Sequence, residues 1–121
     1  RLQNAIIFLD AMPFSQILEY AKDASFYLQT SILEGMGMSV VEAMQLGLIP
    51  VVTPVGEIEN YCIHGQNSVL IEESGLLDSD LLSLFSNPDH FHKIRANAIQ
   101  TWANKDIYHE SFSRAALKLL K

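Results

Sequence analysis

The chain has 121 residues, of which 49% are hydrophobic and 18% are charged, and this length suits one domain rather than two. Its six glycines, four prolines and single cysteine exclude a collagen-like chain, a proline-rich disordered chain and a disulfide framework. The net charge of −6 disfavours nucleic acid as a partner, because a field of that sign repels phosphate backbones. No apolar run is long enough to span a bilayer, and the first residues lack a signal-peptide pattern.

The first part of the chain alternates between strand-like and helix-like patterns. Asn4–Asp10 is a short apolar run between polar residues and predicts a strand. Pro13 opens a segment of helical spacing, because the missing N–H of proline costs nothing at a helix start. Ser25–Thr30 predicts a second strand. Ser39–Leu46 predicts a helix that ends at Gly47, a residue type common just after helices.

The alternation continues for two further strands and then stops. Pro50–Pro54 predicts the third strand, Glu57–His64 a short helix, and Ser68–Ile71 the fourth strand. Asn87 and Pro88 have the pattern of a helix break followed by a new helix. After Glu73 only helical spacing is found, in three segments: Leu76–Phe85, Asp89–Asn104 and Ile107–Leu120.

This order of elements predicts an α/β fold. Strands that alternate with helices form parallel sheets through right-handed crossovers, with helices on both faces. We therefore expect a partial, doubly wound, Rossmann-like parallel sheet flanked by helices, with a helical C-terminal tail. Sheets of this kind bind ligands at the carboxyl ends of their strands, so a site is expected in the turns that follow the strands.

The turn after the second predicted strand is the best candidate for such a site. Gly35 and Gly37 allow the backbone to approach a ligand closely, and the N–H groups that open the next helix suit a phosphate. Glu34 has little packing value among glycines, so its carboxylate suits hydrogen bonding to sugar hydroxyls. Glu42, in the first turn of the helix, has two interpretations. It is a ligand-binding residue, or it forms a capping box with Ser39 as the N-cap.

Other kinds of site have less support in the sequence. The glycine pair lacks the third glycine of a dinucleotide fingerprint and the lysine of a P-loop, and no nucleophile elbow is present. His90 and His92 would point to different faces of a helix and make a poor metal pair. Cys62 and Trp102 are expected in the core, and His64 in a local hydrogen bond.

The segment Glu34-Gly-Met-Gly-Met-Ser-Val-Val-Glu42-Ala-Met resembles the E-x₇-E motif of the retaining, family 4 (group 1) glycosyltransferases. The usual form of that motif is E-G-[FM]-G-[LM]-x-x-x-E-A-[MLF]. Four flanking segments also resemble the family, in the family's order: Ala24–Ser31, Gly47–Thr53, Val55–Ile58 and His64–Ile71. One loop departs from the family pattern, because Glu57 replaces a glycine and Glu59-Asn60 replaces a Pro-Glu pair.

The resemblance implies a role for each residue of the motif. Glu34 would be the catalytic residue, close to the donor sugar, and Glu42 would accept hydrogen bonds from the ribose hydroxyls. The backbone from Met36 to Ser39 would bind the sugar and the diphosphate, and the loop near Ala11 and Met12 would contact the base. The implied substrate-binding residues are Glu34, Gly35, Met36, Gly37, Met38, Ser39 and Glu42. The resemblance implies no metal, because in this fold a helix dipole and basic side chains neutralise the diphosphate. It implies no cofactor, since the sugar nucleotide is a substrate.

By the same resemblance, residues 1–121 form the later part of the C-terminal, nucleotide-sugar-binding domain of a GT-B fold. The N-terminal lobe and the first strands of this domain are absent, so we expect a gap or an unpaired edge in the sheet. The chain alone is then expected to be inactive, or to be completed by residues outside it. Arg1 in place of a methionine agrees with a fragment or a processed chain.

The leading functional hypothesis is the donor-binding part of a retaining glycosyltransferase. The enzyme would transfer a hexose from a nucleotide diphosphate sugar to a glycan, lipid or small-molecule acceptor, with the acceptor bound by the missing lobe. The alternatives are a non-catalytic nucleotide or nucleotide-sugar binding module and, with less support, a dinucleotide binder. We expect a cytoplasmic location or the inner face of the cytoplasmic membrane, with peripheral membrane contact and a dimer both open.

Overall fold

The computed structural model describes residues 5–72, 78–104 and 117–118. Within these ranges the chain forms three strands and five helices, which confirms the predicted α/β class. In chain order the elements are α1 (Phe14–Ala21), β1 (Phe26–Gln29), α2 (Met38–Gln45), β2 (Ile49–Val52), α3 (Ile58–Tyr61), β3 (Val69–Leu70), α4 (Asp78–Ser86) and α5 (Pro88–Trp102).

The strands form one parallel sheet in the order β1-β2-β3. Phe26 lies opposite Ile49 at the start of β1, and Val51 lies opposite Val69 on the other side of β2. Pro50 is tolerated inside β2 because β3 pairs only with the two residues that follow this proline. All four residues of β2 are buried, as expected for the central strand of a sheet covered on both faces.

The first predicted strand, Asn4–Asp10, is wrong for the residues that the structure describes. Residues 6–10 have no strand pairing, and their apolar side chains are exposed, with Ile7 at 77% and Phe8 at 92% of full exposure. A strand requires a neighbour for its N–H and C=O groups, and β1 pairs only with β2 in the described sheet. The apolar run therefore has the composition of a strand without a partner strand.

Helices cover both faces of the sheet and form two apolar clusters with it. Val52 contributes to the cluster on one face, together with α2, Ile58 of α3 and the C-terminal half of α5. Ile49 and Val51 point to the opposite face, where they pack with Leu84 of α4 and the N-terminal half of α5. This packing fixes the ends of β1 and β2, where the predicted site lies.

The C-terminal part of the described chain is helical, as predicted. The break between α4 and α5 falls at Asn87, whose side chain accepts a hydrogen bond from the N–H of His90 at 3.1 Å and caps α5. The last predicted helix, Ile107–Leu120, lies outside the described residues apart from 117–118. None of the helices in the described ranges combines the length and hydropathy that crossing a bilayer requires.

Candidate functional site

The turn between β1 and α2 ends at Gly37, which is the N-cap of α2. Its backbone is left-handed, with φ of 67° and ψ of 55°, a conformation that glycine adopts without steric penalty. No side chain caps the helix. Ser39 already has a helical backbone and Glu42 is the fifth helical residue, so the predicted capping box of Ser39 and Glu42 is wrong. With Gly37 as the N-cap, the helix begins two residues earlier than that interpretation required.

The amides that lead into α2 have no protein acceptor among the described residues until Val40. Val40 and Val41 donate their N–H groups to the carbonyl of Gly37, at 2.9 and 3.2 Å. The N–H groups of residues 35–39 have no acceptor in the described part of the chain. Gly35, Met36 and Ser39 are exposed, and Met38 is half-buried. The start of α2 therefore offers several free N–H donors at the positive end of a helix, an arrangement that suits an anion.

The Glu34 carboxylate is held by hydrogen bonds to one of its two oxygens. Ser31 Oγ donates to Oε1 at 2.6 Å, and Gln29 Nε2 donates to the same atom at 2.8 Å. Gln29 in turn accepts from the hydroxyl of Tyr27 at 2.8 Å. Glu34 is half-buried, and its Oε2 has no hydrogen-bond donor among the described residues. One oxygen therefore anchors the side chain, and the other is available to a ligand.

The loop after β2 supports the turn between β1 and α2 (residues 30–37, the Glu34 turn) through contacts with its backbone. Glu57 N–H donates to the carbonyl of Gly35 at 2.9 Å, and Thr53 Oγ1 donates to the carbonyl of Ser31. Gly56 has a φ of 59°, and a Cβ placed on it would overlap the carbonyl oxygen of Glu34 and lie 2.6 Å from that of Gly35. Glycine is thus required at position 56 both for its backbone conformation and for the close approach of the two loops.

Tyr61 of α3 supports the same turn from another side. Its hydroxyl donates to the carbonyl of Met36 at 2.7 Å and to that of Gly37 at 3.2 Å. Burial, and then the nearby Cys62 and Glu34, raise the pKa of Tyr61 above its ordinary value. The hydroxyl therefore stays protonated and keeps its role as a donor.

Glu42 is half-buried and faces a cavity of about 220 Å³ between α1, β1 and α2. Tyr27 and Ser39 also line this cavity and are its other polar residues. The remaining walls are apolar and come from Phe14, Ile17, Ala21, Ala43, Leu46 and Leu48. Glu42 and Glu34 have no direct contact. Tyr27 and Ser39 line the same cavity as Glu42, and their hydroxyls also face Gln29, which donates a hydrogen bond to Glu34.

A second cleft, of about 370 Å³, lies at the carboxyl ends of the three strands, where ligands are expected in such sheets. Thr30 and Ser31 follow β1, Thr53 follows β2, and Glu72 follows β3. The rest of the lining is apolar: Ile32, Pro54, Val55 and Ile71. Ser31 joins this cleft to the Glu34 turn through its hydrogen bond to the carboxylate.

The remaining residues singled out in the sequence lie in the core or in local polar contacts. Cys62 is buried and its pKa is raised to about 11 by burial, so it is a protonated core thiol at neutral pH, as predicted. Trp102 is buried against Tyr61, with ring centres 5.3 Å apart. His64 lies in a turn and contacts Asp80 at 3.2 Å and the N–H of Leu70 at 3.1 Å. The described residues contain no group of three or more His, Cys, Asp or Glu side chains arranged for a metal.

Four residues of the site were not singled out from the sequence: Tyr27, Gln29, Gly56 and Tyr61. A signal existed for two of them, because Tyr27 and Gln29 are polar residues two apart on a strand and therefore share a face. Gly56 and Tyr61 act on a turn that is about twenty residues away in the sequence, and only folding brings them to it.

The described fold is a Rossmann-like α/β sheet with the candidate turn at the carboxyl end of β1. Residues 1–101 match the family model described as glycosyl transferases group 1, so the chain belongs to this family. A search of curated proteins found no match. Membership assigns glycosyl transfer in general, the movement of a sugar to an acceptor, and confirms the resemblance at the level of group 1.

Proposed function

We propose that the chain is the donor-binding part of a retaining glycosyltransferase that transfers a hexose from a nucleotide diphosphate sugar. The observation that carries this proposal is the Glu34 turn. A carboxylate held through one oxygen lies next to a series of free amides that open α2. The free oxygen suits sugar hydroxyls, and the amides suit a phosphate, so the turn has the two chemistries of an activated sugar.

In this proposal the diphosphate lies at the start of α2. The N–H groups of Met38 and Ser39 donate to its oxygens, and the positive end of the helix stabilises its charge. This charge increases when the bond between sugar and phosphate breaks. Donors fixed in place before the reaction therefore stabilise the transition state more than the ground state. The amides of α2 are fixed in this way, because the hydroxyl of Tyr61 and the N–H of Glu57 donate hydrogen bonds to carbonyls of the preceding turn.

Glu34 and Glu42 would bind the two sugar rings of the donor. Glu34 Oε2 accepts hydrogen bonds from the hexose hydroxyls and stabilises positive charge that develops near the anomeric carbon. Glu42 accepts from the ribose hydroxyls at the mouth of the cavity beside α1, whose apolar walls suit the nucleoside. Both carboxylates belong to the segment that resembles the E-x₇-E motif, and in this proposal each binds a different part of the same ligand.

The acceptor, which we propose to be a glycan, a lipid or a small molecule, would be bound by an N-terminal lobe outside this chain. No cofactor or metal takes part in the proposed reaction. A cytoplasmic location, or the inner face of the cytoplasmic membrane, suits an enzyme of glycan biosynthesis that uses sugar nucleotides. Dimerisation and peripheral membrane contact are further parts of the proposal that depend on the rest of the protein.

The test is substitution of Glu34 in the full-length protein. We expect Glu34→Gln and Glu34→Ala to lower the rate of sugar transfer roughly a hundredfold or more, because a preorganised charge at the reacting centre is lost. The melting temperature should change by less than about 3 °C, since Glu34 is only half-buried. UDP-, GDP- and ADP-sugars serve as the donor panel, with release of the nucleotide as the assay.

The matched control is Glu19→Gln, which removes an exposed carboxylate on α1 that pairs only with Lys22. This variant should keep the wild-type rate. Transfer that survives in Glu34→Ala would show that Glu34 is structural. A folded wild-type protein that binds none of the donors would contradict the whole proposal, whereas binding without transfer would favour the non-catalytic binding module.

A further inference from the structure

Gln29, the last residue of β1, has a position that the E-x₇-E motif does not include. Its side-chain amide lies between Tyr27 and Glu34, with Oε1 2.8 Å from the Tyr27 hydroxyl and Nε2 2.8 Å from Glu34 Oε1. The hydroxyl of Ser39, in the first turn of α2, is 3.4 Å from the same Oε1. Gln29 therefore contacts both the carboxylate before the glycine turn and the helix after it.

The orientation of this amide is determined by its neighbours. An ionised carboxylate only accepts hydrogen bonds, so the NH₂ group of Gln29 must face Glu34. The carbonyl oxygen then faces Tyr27 and Ser39, whose hydroxyls can both donate. Every polar atom of the amide has a partner of the correct kind in this arrangement. The Tyr27 hydroxyl thus fixes Gln29, and Gln29 fixes the carboxylate.

The bonds to Glu34 are also selective between its two oxygens. Gln29 and Ser31 both donate to Oε1, and no described residue donates to Oε2. Two donors on one oxygen restrict rotation of the carboxylate and leave the other oxygen to accept from a ligand. A purely structural role for Glu34 would not require this asymmetry, because a structural carboxylate is best satisfied at both oxygens.

We propose that Gln29 is a positioning residue, anchored by Tyr27, which orients Glu34 so that Oε2 receives the hydroxyls of the donor sugar. This inference rests on the proposed function, since it holds that Gln29 orients the Glu34 carboxylate toward the sugar of the donor. It predicts that Gln29 affects recognition of the sugar and leaves recognition of the nucleotide unchanged.

The experiment measures dissociation constants in the full-length protein for three pairs of probes: UDP and UDP-glucose, GDP and GDP-mannose, and ADP and ADP-glucose. The quantity of interest is the ratio of the nucleotide constant to the sugar-nucleotide constant, for the pair that binds. We expect Gln29→Leu to lower this ratio about tenfold relative to wild type, as Glu34→Ala does. The constant for the nucleotide alone should stay within about twofold, because the amides of α2 are intact.

Two further variants separate positioning from packing. Gln29→Glu keeps the shape of the side chain but removes the NH₂ donor and places a second carboxylate beside Glu34, so it should lower the ratio at least as much as Gln29→Leu. Tyr27→Phe keeps the ring and removes only the anchoring hydroxyl, so a loss of about threefold is expected. Gln100→Leu, on an exposed position of α5, is the matched control and should leave the ratio unchanged.

The outcomes distinguish this inference from the proposed function. A wild-type ratio in Gln29→Leu or Gln29→Glu, with a lowered ratio in Glu34→Ala, would overturn the role of Gln29 alone. Equal losses of nucleotide and sugar-nucleotide affinity would show that Gln29 only supports the fold of the turn, and would also overturn it. An unchanged ratio in Glu34→Ala, or no binding of any probe to wild type, would overturn the proposed function itself.

Discussion

The orientation of the Glu34 carboxylate is fixed by residues that lie outside the E-x₇-E segment. The carboxylate would rotate freely without partners, but Gln29 and Ser31 both donate to one of its oxygens, and the Tyr27 hydroxyl in turn holds Gln29. Hydrogen bonds to an ionised group are stronger than neutral ones, so this small network is an effective restraint. The orientation of the Glu34 carboxylate is therefore a property of β1 as much as of the glycine turn.

The sequence identifies Glu34 and the glycines but not Gln29. Patterns along the chain show which residue types have a given spacing, and a carboxylate between glycines is unusual enough to be noticed. The role of Gln29 depends instead on the direction of side chains at the end of a strand and on the path of the following turn. Neither is fixed by spacing, because both depend on how the loop after β2 supports the turn.

Cys62 gives a prediction about stability and pH. Burial raises its pKa to about 11 from its ordinary value of 9.0, so the folded state retains the thiol proton in a range where the unfolded state loses it. The stabilisation is complete below pH 9 and is lost as the pH rises toward 11. We expect the free energy of unfolding to fall by about 1 kcal/mol between pH 8 and pH 10 from this residue.

Urea denaturation of the full-length protein at the two pH values measures this effect. Cys62→Ala should be less stable at both values, because it leaves a cavity, but its loss between pH 8 and pH 10 should be smaller by that amount. Tyr61→Phe is the comparison: burial also raises the pKa of this hydroxyl above its ordinary value of 10.0, so this substitution should remove a smaller part of the loss near pH 10, while the part due to Cys62 persists. An identical pH dependence in wild type and Cys62→Ala would contradict the prediction.

The elements that form the site were predicted with their correct type and order, apart from one strand. The helix and strand patterns between residues 13 and 71 agree with α1 to β3 to within a few residues, because amphipathic periodicity and glycine or proline boundaries fix them locally. The error at residues 4–10 has a different origin. An apolar run specifies what a strand needs on its faces but not whether a neighbour is present for its backbone.

The close approach of Gly56 to the backbone of Glu34 and Gly35 can be tested by substitution. Gly56→Ala would place a methyl group against the carbonyl oxygens of Glu34 and Gly35, so the two loops must move apart. We expect this variant to bind the sugar nucleotide at least tenfold more weakly than its control, and to be less stable than that control by ~1–3 kcal/mol. Isothermal titration calorimetry and chemical denaturation of the full-length protein measure the two quantities.

The control is Gly65→Ala, which has the same type of backbone, with φ of 71°, but open space around the added carbon. It should lose only the ~1 kcal/mol associated with a left-handed backbone and keep wild-type affinity. Equal effects of the two substitutions would mean that the close approach at Gly56 has no special role. The comparison thus separates the conformation of a glycine from its contacts.

At the scale of the whole molecule, several large apolar side chains are exposed in the described part of the chain. Phe8, Leu28, Ile32 and Leu33 are exposed, the last two at 95% and 87%, and β1 has a neighbour on one side only in the described sheet. Contiguous apolar surface and an unpaired strand edge both favour association. The expected gap or edge in the sheet remains a prediction about the rest of the protein.

We therefore expect the 121-residue chain to elute from size exclusion with light scattering as a species larger than a monomer. Replacement of Ile32 and Leu33 together by lysine should shift it toward the monomer, because the two charges interrupt the apolar surface after β1. Ile63→Lys, a half-exposed apolar position in a turn elsewhere, is the control and should change little. A wild-type chain that is already monomeric would refute this expectation.

The position of Gln29 on an outermost strand has one more consequence. A donor molecule in the proposed orientation would touch the carboxylate anchored to β1 and the amides that begin α2, and would therefore connect an outermost strand to the helix packed beside it. Any molecule that binds only the folded arrangement also stabilises that arrangement. Binding of the donor would then stabilise the contact between β1 and α2, and loss of that contact would weaken donor binding.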